Sequence, residues 1–273
     1  MNRARVDGGE LDYELRGDGD LVVFVHHGAG ADWFQPLFSE PILIDRFRLL
    51  RYHRPGYAGS SPLVGALSFA REAATFRELM RYLGERRAHI VGHSASACIA
   101  LQMALDVPGS VHSLTLMEPA LLAVPSPPEV PQSLGLYQAG DRAAAVETFL
   151  RGTCGPQARS ILDDTIPDAM NRAVADSGTF FGQELPALRQ WSFGPDEARR
   201  ITQPVLAVLG EMSDSRFHER HEILVSWLPH AESFVLPSAG HLLHLENRSG
   251  FASGLADFLT RHGISDAYAP PDR

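Results

Sequence analysis

The stretch VGHSASACIALQMAL, Val91 to Leu105, decides how the rest of the chain is read. An apolar β-branched run enters it, a tight Gly-His-Ser-Ala-Ser turn follows, and a helical pattern leaves it. Ser94 at the centre of that turn has two readings. It is a helix N-cap, whose hydroxyl occupies one of the free N–H groups of the first turn. Or it is a nucleophile, held out on a sharp strand-to-helix bend whose strained backbone tolerates only small neighbours. The turn alone does not choose between them; the rest of the chain has to.

Outward from this stretch, strand and helix patterns alternate. LDYELRG (Leu11–Gly17) alternates in polarity and ends in Gly-Asp-Gly, which predicts an early antiparallel strand and turn. LVVFVHHG (Leu21–Gly28) is a continuous apolar run of the kind buried on both faces. Phe47–His53, Ala88–His93, Ser110–Glu118, Pro204–Gly210 and Glu232–Pro237 are further strand candidates. Helical patterns occupy Phe69–Glu85, Ser94–Asp106, Arg216–Leu228 and Ser249–His262. This alternation predicts an α/β fold with a mostly parallel central sheet and flanking helices. Residues 123–199 break it: after the loop VPSPPEVP (Val124–Pro131) come only helical stretches, DRAAAVETFLRG, QARSILDD and ELPALRQW. The expected organisation is a core of residues 1–122 and 200–266, a helical lid at 123–199, and a loose tail at 267–273.

Composition excludes several chemistries. All 24 basic residues are arginine, so no lysine is present to form a Schiff base or a Walker-type phosphate contact. The net charge of −9 argues against nucleic acid or an anionic membrane as partner. Hydrophobic residues at 44% allow a large core. Cys98 and Cys154 lack metal spacing, and Cys98 sits in the apolar run after Ser94, as a buried thiol would. The histidine pairs His26/His27 and His218/His221 come without an HExxH motif or a cysteine pair, so no metal site is expected. The N-terminus has no apolar signal-like region and no run is long enough to span a bilayer, which points to a cytoplasmic protein without membrane contact. Monomer and homo-oligomer are left open.

Ligands of open α/β sheets bind beyond the carboxyl ends of the strands. The loops that follow the predicted strands carry His26-His27-Gly28-Ala29-Gly30, Arg54-Pro55-Gly56-Tyr57-Ala58-Gly59-Ser60, Gly92-His93-Ser94-Ala95-Ser96, Glu118, Gly210-Glu211-Met212-Ser213-Asp214 and Pro237-Ser238-Ala239-Gly240-His241. In this order, over nearly the whole chain, the loops resemble those of the α/β-hydrolase family. The nucleophile elbow Gly-x-Ser-x-Gly is matched except at its last position, where Ser96 stands for glycine. The resemblance implies Ser94 as nucleophile and His241 as base, with His244 as its rival. For the acid it leaves two positions open, Glu118 after the Ser110 strand and Asp214 after the Pro204 strand. Asp214 lies one residue beyond the usual family position, which is Ser213 here, and this tilts the choice to Glu118; Glu211 is a third candidate. Backbone N–H groups of Ala95 and Ala29 are the implied oxyanion donors. Gly28, Trp33, His93, Leu121 and Leu242 are expected around the substrate, and the Arg54–Ser60 loop is expected to be a structural turn.

The implied function is cofactor-free hydrolysis of an ester, thioester or lactone of a small to medium hydrophobic compound. The same triad serves carbon–carbon bond hydrolysis, lyase or acyl-transfer chemistry, and a ligand receptor with little turnover is a reading of another class. Dehalogenases and epoxide hydrolases of the family use an aspartate nucleophile, and position 94 is serine.

Overall fold

The chain opens with a hairpin that the sequence reading only half anticipates. Asn2–Val6 (β1), not foreseen, pairs antiparallel with Gly9–Arg16 (β2). The apolar runs then form Asp20–Val25 (β3), Phe47–Tyr52 (β4), Ala88–His93 (β5), Val111–Met117 (β6), Val205–Gly210 (β7) and Glu232–Leu236 (β8). In the computed structural model, which describes residues 1–264, these strands make one eight-stranded sheet in the order β1-β2-β4-β3-β5-β6-β7-β8. Every pairing from β4 to β8 is parallel. The tail foreseen at 267–273 lies outside the described residues.

Register sets the carboxyl edge. Val25 sits opposite Gly92, His93 opposite Met117, and Met117 opposite Val208. The loops after β3, β5, β6 and β7 therefore open at one level, where ligands of such sheets bind.

Helices cover both faces. Pro41–Ile44 (α1) is a single turn; Phe69–Leu83 (α2) and Ala95–Asp106 (α3) follow. Between β6 and β7 come Glu129–Gln138 (α4), Arg142–Cys154 (α5), Ala158–Thr165 (α6), Ala169–Thr179 (α7), a π-helical turn at Phe180–Glu184, Leu185–Gln190 (α8) and Pro195–Ala198 (α9). Ser215–Trp227 (α10), Leu243–Glu246 (α11) and Arg248–Arg261 (α12) complete the fold. The stretch foreseen as strandless holds only helices and the loops between them, although α4, α7 and α9 were not individually legible. Pro128 and Pro131 concealed α4: proline is accepted in a first helical turn, where no intrahelical N–H partner is lost.

Three apolar cores result. One joins α2, α3 and α10 to one face of the sheet, and a second joins α12 and the segment around Phe34–Leu43 to the other. The third lies between the inserted helices and the sheet's carboxyl edge, and holds Trp33, Tyr57, Phe149, Phe180, Phe181 and Leu242. Among the described residues, no helix is long and apolar enough to cross a membrane.

Candidate active site

The elbow forms because its neighbours are small. Ser94 takes φ 56°, ψ −118°, a region that costs strain for any residue with a Cβ. A Cβ on Gly92 would lie 2.5 Å from the Ser96 carbonyl oxygen, so that position admits only glycine. Ser96 replaces the expected final glycine with a contribution of its own. Its Oγ accepts the His93 N–H at 2.8 Å and donates to the His93 carbonyl at 2.9 Å, tying the turn shut. The Ser94 N–H donates to Met117 O at 2.8 Å, which fixes the elbow to the end of β6.

Glu118, the residue that follows β6, is also at positive φ, 44°. That conformation turns its buried carboxylate back towards β7. Oε1 accepts the Gly210 N–H at 2.8 Å and the Ser213 hydroxyl at 2.5 Å. Oε2 lies 2.5 Å from His241 Nδ1. The carboxylate is thus saturated on one side and committed to the imidazole on the other. Phe217 of α10 stacks on the imidazole, its ring 4.0 Å from the His241 ring and 17° from parallel.

Ser94, Ala95, His241 and His27 share one open cavity of about 520 Å³. The inserted helices supply its apolar wall through Val130, Phe149, Phe180, Leu185 and Leu188. Ser94 Oγ, His241 Nε2 and His27 Nε2 make no hydrogen bond among the described residues, and none is sealed from solvent. They face the cavity uncommitted. Among the described residues no group of three histidine, cysteine or acidic side chains could hold a metal ion.

The family model described as alpha/beta hydrolase fold matches residues 21–248. The chain belongs to this family. It is 27% identical over 256 residues to the dihydrolipoyllysine-residue acetyltransferase component of the acetoin cleaving system of Cupriavidus necator, covering 94% of this chain and 68% of that protein. The chain spans about two thirds of the length of such components. It is 29% identical over 265 residues to a 2-hydroxy-6-oxononadienedioate/2-hydroxy-6-oxononatrienedioate hydrolase of Cupriavidus pinatubonensis, covering 89% of this chain and 88% of that one. Among solved structures, the enol-lactonase from Burkholderia xenovorans aligns with a TM-score of 0.81 at 20% identity, over 95% of this chain and 100% of that one, a likeness of fold.

Within this α/β hydrolase the competing carboxylates separate. Asp214 does not meet His241: it caps α10, accepting the Arg216 N–H at 3.0 Å and Arg216 Nε at 2.7 Å, with its side chain half exposed. The one-residue offset that the sequence carries places it in the helix cap, where a short acceptor is favoured. Glu211 accepts the Ser238 N–H and braces the turn after β8. His244 donates Nε2–H to the Trp33 carbonyl at 3.1 Å, and burial holds its pKa down at about 3.

Ala29 needs the largest correction. Its N–H donates to Nδ1 of His27 at 3.0 Å, so it does not stand free as an oxyanion donor. Gly28 packs against Glu184, whose carboxylate lies 2.5 Å from where a Cβ would be. His93, Trp33 and Leu242 are buried behind the cavity rather than on its surface, packed in the contact between the sheet edge and the inserted helices. Leu121 is buried too, and its neighbours Ala120 and Leu122 line the cavity instead. The reason is common to all of these: adjacency in sequence to a site residue does not fix which way a side chain faces once a second layer packs on the loop.

The sequence pattern also did not single out Phe217 and Arg220 as lining residues. Phe217 and Arg220 sit on α10, on the stripe Phe217, Arg220, His221, Leu224 that is buried at helical spacing. An arginine within an otherwise inward stripe was the available clue. The Arg54–Ser60 loop is the expected structural turn, but it carries a buried ion pair. Arg54 is fully buried and pairs with Glu184 of the π-helical turn at 2.5 Å; Tyr57 donates to the same carboxylate oxygen, and Glu72 of α2 lies 3.4 Å from the guanidinium.

Proposed function

We propose that this α/β hydrolase is a serine hydrolase that cleaves an ester, thioester or lactone through an acyl-enzyme. The observation that carries the reading is the 2.5 Å contact of Glu118 with His241 on the wall of the cavity that Ser94 also lines. Ser94 Oγ attacks the substrate carbonyl carbon and gives its proton to His241 Nε2. Glu118 holds the imidazole in the Nδ1–H tautomer and stabilises the imidazolium. His241 then returns the proton to the departing oxygen or sulfur as the tetrahedral intermediate collapses. Water, deprotonated by His241, attacks the acyl carbonyl; the second collapse frees the carboxylic acid and restores Ser94.

The developing oxyanion needs donors placed in advance. Ala95, first residue of α3, has an N–H outside the helical ladder and at the positive end of the helix dipole. The second donor in this reading is the His27 ring. Its Nδ1 accepts from Ala29, and burial, with the His241 charge second, lowers its pKa to about 3. A neutral ring accepting at Nδ1 carries its hydrogen on Nε2, the atom left uncommitted at the cavity. Residues 123–199 act in this proposal as the lid of the core formed by the rest of the chain, because their helices supply the apolar wall. The substrate is a small molecule with an apolar part.

Likeness to the dienedioate hydrolases supports a second reading, hydrolysis of a carbon–carbon bond next to a carbonyl, with the same groups in the same places. The acetyltransferase likeness brings less: this chain has no lysine and so cannot itself bear a lipoyl-lysine.

One plate tests the proposal: purified protein and Ser94→Ala, each with a fluorophosphonate probe, a short p-nitrophenyl ester and a 1,5-diketone. Probe adduct and ester turnover in the wild type, both lost in Ser94→Ala, are expected. Diketone cleavage without ester turnover moves the second reading forward. An unlabelled wild type removes the nucleophile from Ser94.

A further inference from the structure

Among the described residues, Arg220 is a cation without a carboxylate partner on a largely apolar cavity. The residue is 5% exposed and lines the same cavity as Ser94 and His241. Its Nε donates to the Leu121 carbonyl at 3.1 Å, and Nη2 donates to the carbonyls of Val124 and Pro125 at 3.0 and 3.3 Å. Nη1 makes no hydrogen bond among the described residues and is not sealed from solvent. The acids around it are engaged elsewhere: Asp214 with Arg216, Glu118 with His241. Arg220 makes no salt bridge among the described residues, whereas buried Arg54 has two carboxylate partners.

Burying an unpaired charge is costly, and three carbonyl bonds orient a guanidinium without neutralising it. A purely structural strap for the 121–125 loop would not need a charged group with one donor nitrogen left unbonded among the described residues. The position is also specific. Phe217 contacts both groups: its ring lies 5.4 Å from the Arg220 guanidinium carbon and 4.0 Å from the His241 ring. Arg220, Phe217 and His241 therefore line one cavity as a continuous row of contacts, with Phe217 touching both the cation and the imidazole.

We propose that Arg220 Nη1 binds an anionic group of the substrate, and that the substrate class is a short acyl compound bearing a carboxylate, such as the monoester, thioester or lactone of a dicarboxylic or oxo acid. One positive charge on the cavity matches a single negative charge; a phosphate dianion would leave an excess negative charge there. This inference rests on the serine-hydrolase reading for the word ester, but the anion site itself does not.

The test compares two esters of similar length, the mono-p-nitrophenyl ester of glutaric acid and p-nitrophenyl butyrate, on the wild type, Arg220→Gln and Arg220→Lys. The quantity read is the ratio of kcat/KM for the acidic ester to that for the neutral one. Losing a charge-assisted contact should lower that ratio by roughly 10- to 100-fold in Arg220→Gln, chiefly through KM, with Arg220→Lys retaining part of it. An unchanged ratio overturns the proposal, whatever happens to the absolute rates. Calorimetric titration of Ser94→Ala with glutarate, against the Ser94→Ala/Arg220→Gln double variant, separates the two readings. Glutarate heat lost with Arg220 upholds the anion site even if no ester is hydrolysed. Equal heat in both proteins, or none in either, overturns it even if esters are.

Discussion

Glu118 and Asp214 are both carboxylates on loops at the same sheet edge, and their surroundings give them different work. Glu118 is 2% exposed and bonded to His241, while Asp214 caps a helix. Glu118→Gln should lower kcat on a turned-over ester by about 10⁴-fold, because an amide no longer fixes the imidazole tautomer or balances its charge. Asp214→Ala should leave that rate within a few-fold and cost about 1 kcal/mol of stability through the lost cap; steady-state kinetics and urea unfolding of both variants decide. His27→Phe keeps a ring stacked on Trp33, 5.3 Å away in the native protein, but removes the Nε2–H. The expected loss is about 10²- to 10³-fold in kcat with KM little changed, the signature of a donor used in the transition state. A rate equal to wild type would return the oxyanion role to a backbone N–H. At this scale the candidate residues were legible in part: Ser94 and His241 were picked from their loops, while the acid stayed open between Glu118 and Asp214, and the contact with His241 separates them. The hydrogen bond that takes the Ala29 N–H out of play was not, because it depends on one histidine rotamer.

Elements differ in how much they rely on partners far along the chain. The elbow is local: Gly92, Ser94 and Ser96 lie within five residues and hold one another. The π-helical turn Phe180–Glu184 is not. It brings Phe180 to the cavity, and Glu184 anchors it to Arg54 and Tyr57, well over a hundred positions away. Glu184→Gln should destabilise the protein by about 3 kcal/mol, since the fully buried Arg54 would lose its hydrogen-bonded charge partner. Urea unfolding measures this, and a change below about 0.5 kcal/mol, the size expected for an ordinary surface site, would show the pair to be dispensable. The turn escaped sequence reading for a plain reason. A π turn is one extra residue in a helical run, and the ion pair that rewards it comes from another loop.

Across the whole molecule, buried histidines set the response to acid. Burial lowers His27, His89 and His244 to about 3, and His26 and His93 well below their ordinary value of 6.5; a neighbouring charge is the second cause in each but His244, where the Trp33 carbonyl opposes burial. As pH falls from 6.5 to about 3, the unfolded chain takes up protons that the folded protein refuses, so stability falls with acid. Glu72 acts in the opposite sense. Burial and then the charge of Glu184 outweigh the pull of Arg54 and raise it from 4.5 to about 7, so the stability it contributes below 4.5 is lost as pH rises through 7. Six histidines held low, His221 included, against three carboxyls held high, Glu72, Asp176 and Glu246, leave a net rise in stability between pH 4.5 and 6.5. Scanning calorimetry at pH 5 and pH 7.5 should give the lower Tm at pH 5; an equal or higher value would mean that these rings are protonated in the folded protein.

Hydrophobic run length, turn chemistry and loop order are properties of neighbours in the chain, and they determined the α/β architecture, the elbow at Ser94, the histidine at His241 and the helical stretch after β6. What only the tertiary structure decided is direction: which carboxylate reaches His241, which side of its loop Trp33 or Leu242 presents, and that Arg220 lines the cavity with no salt bridge among the described residues. Those outcomes depend on register between strands and on the helices that pack over their ends, and neither is written in the spacing of any one segment.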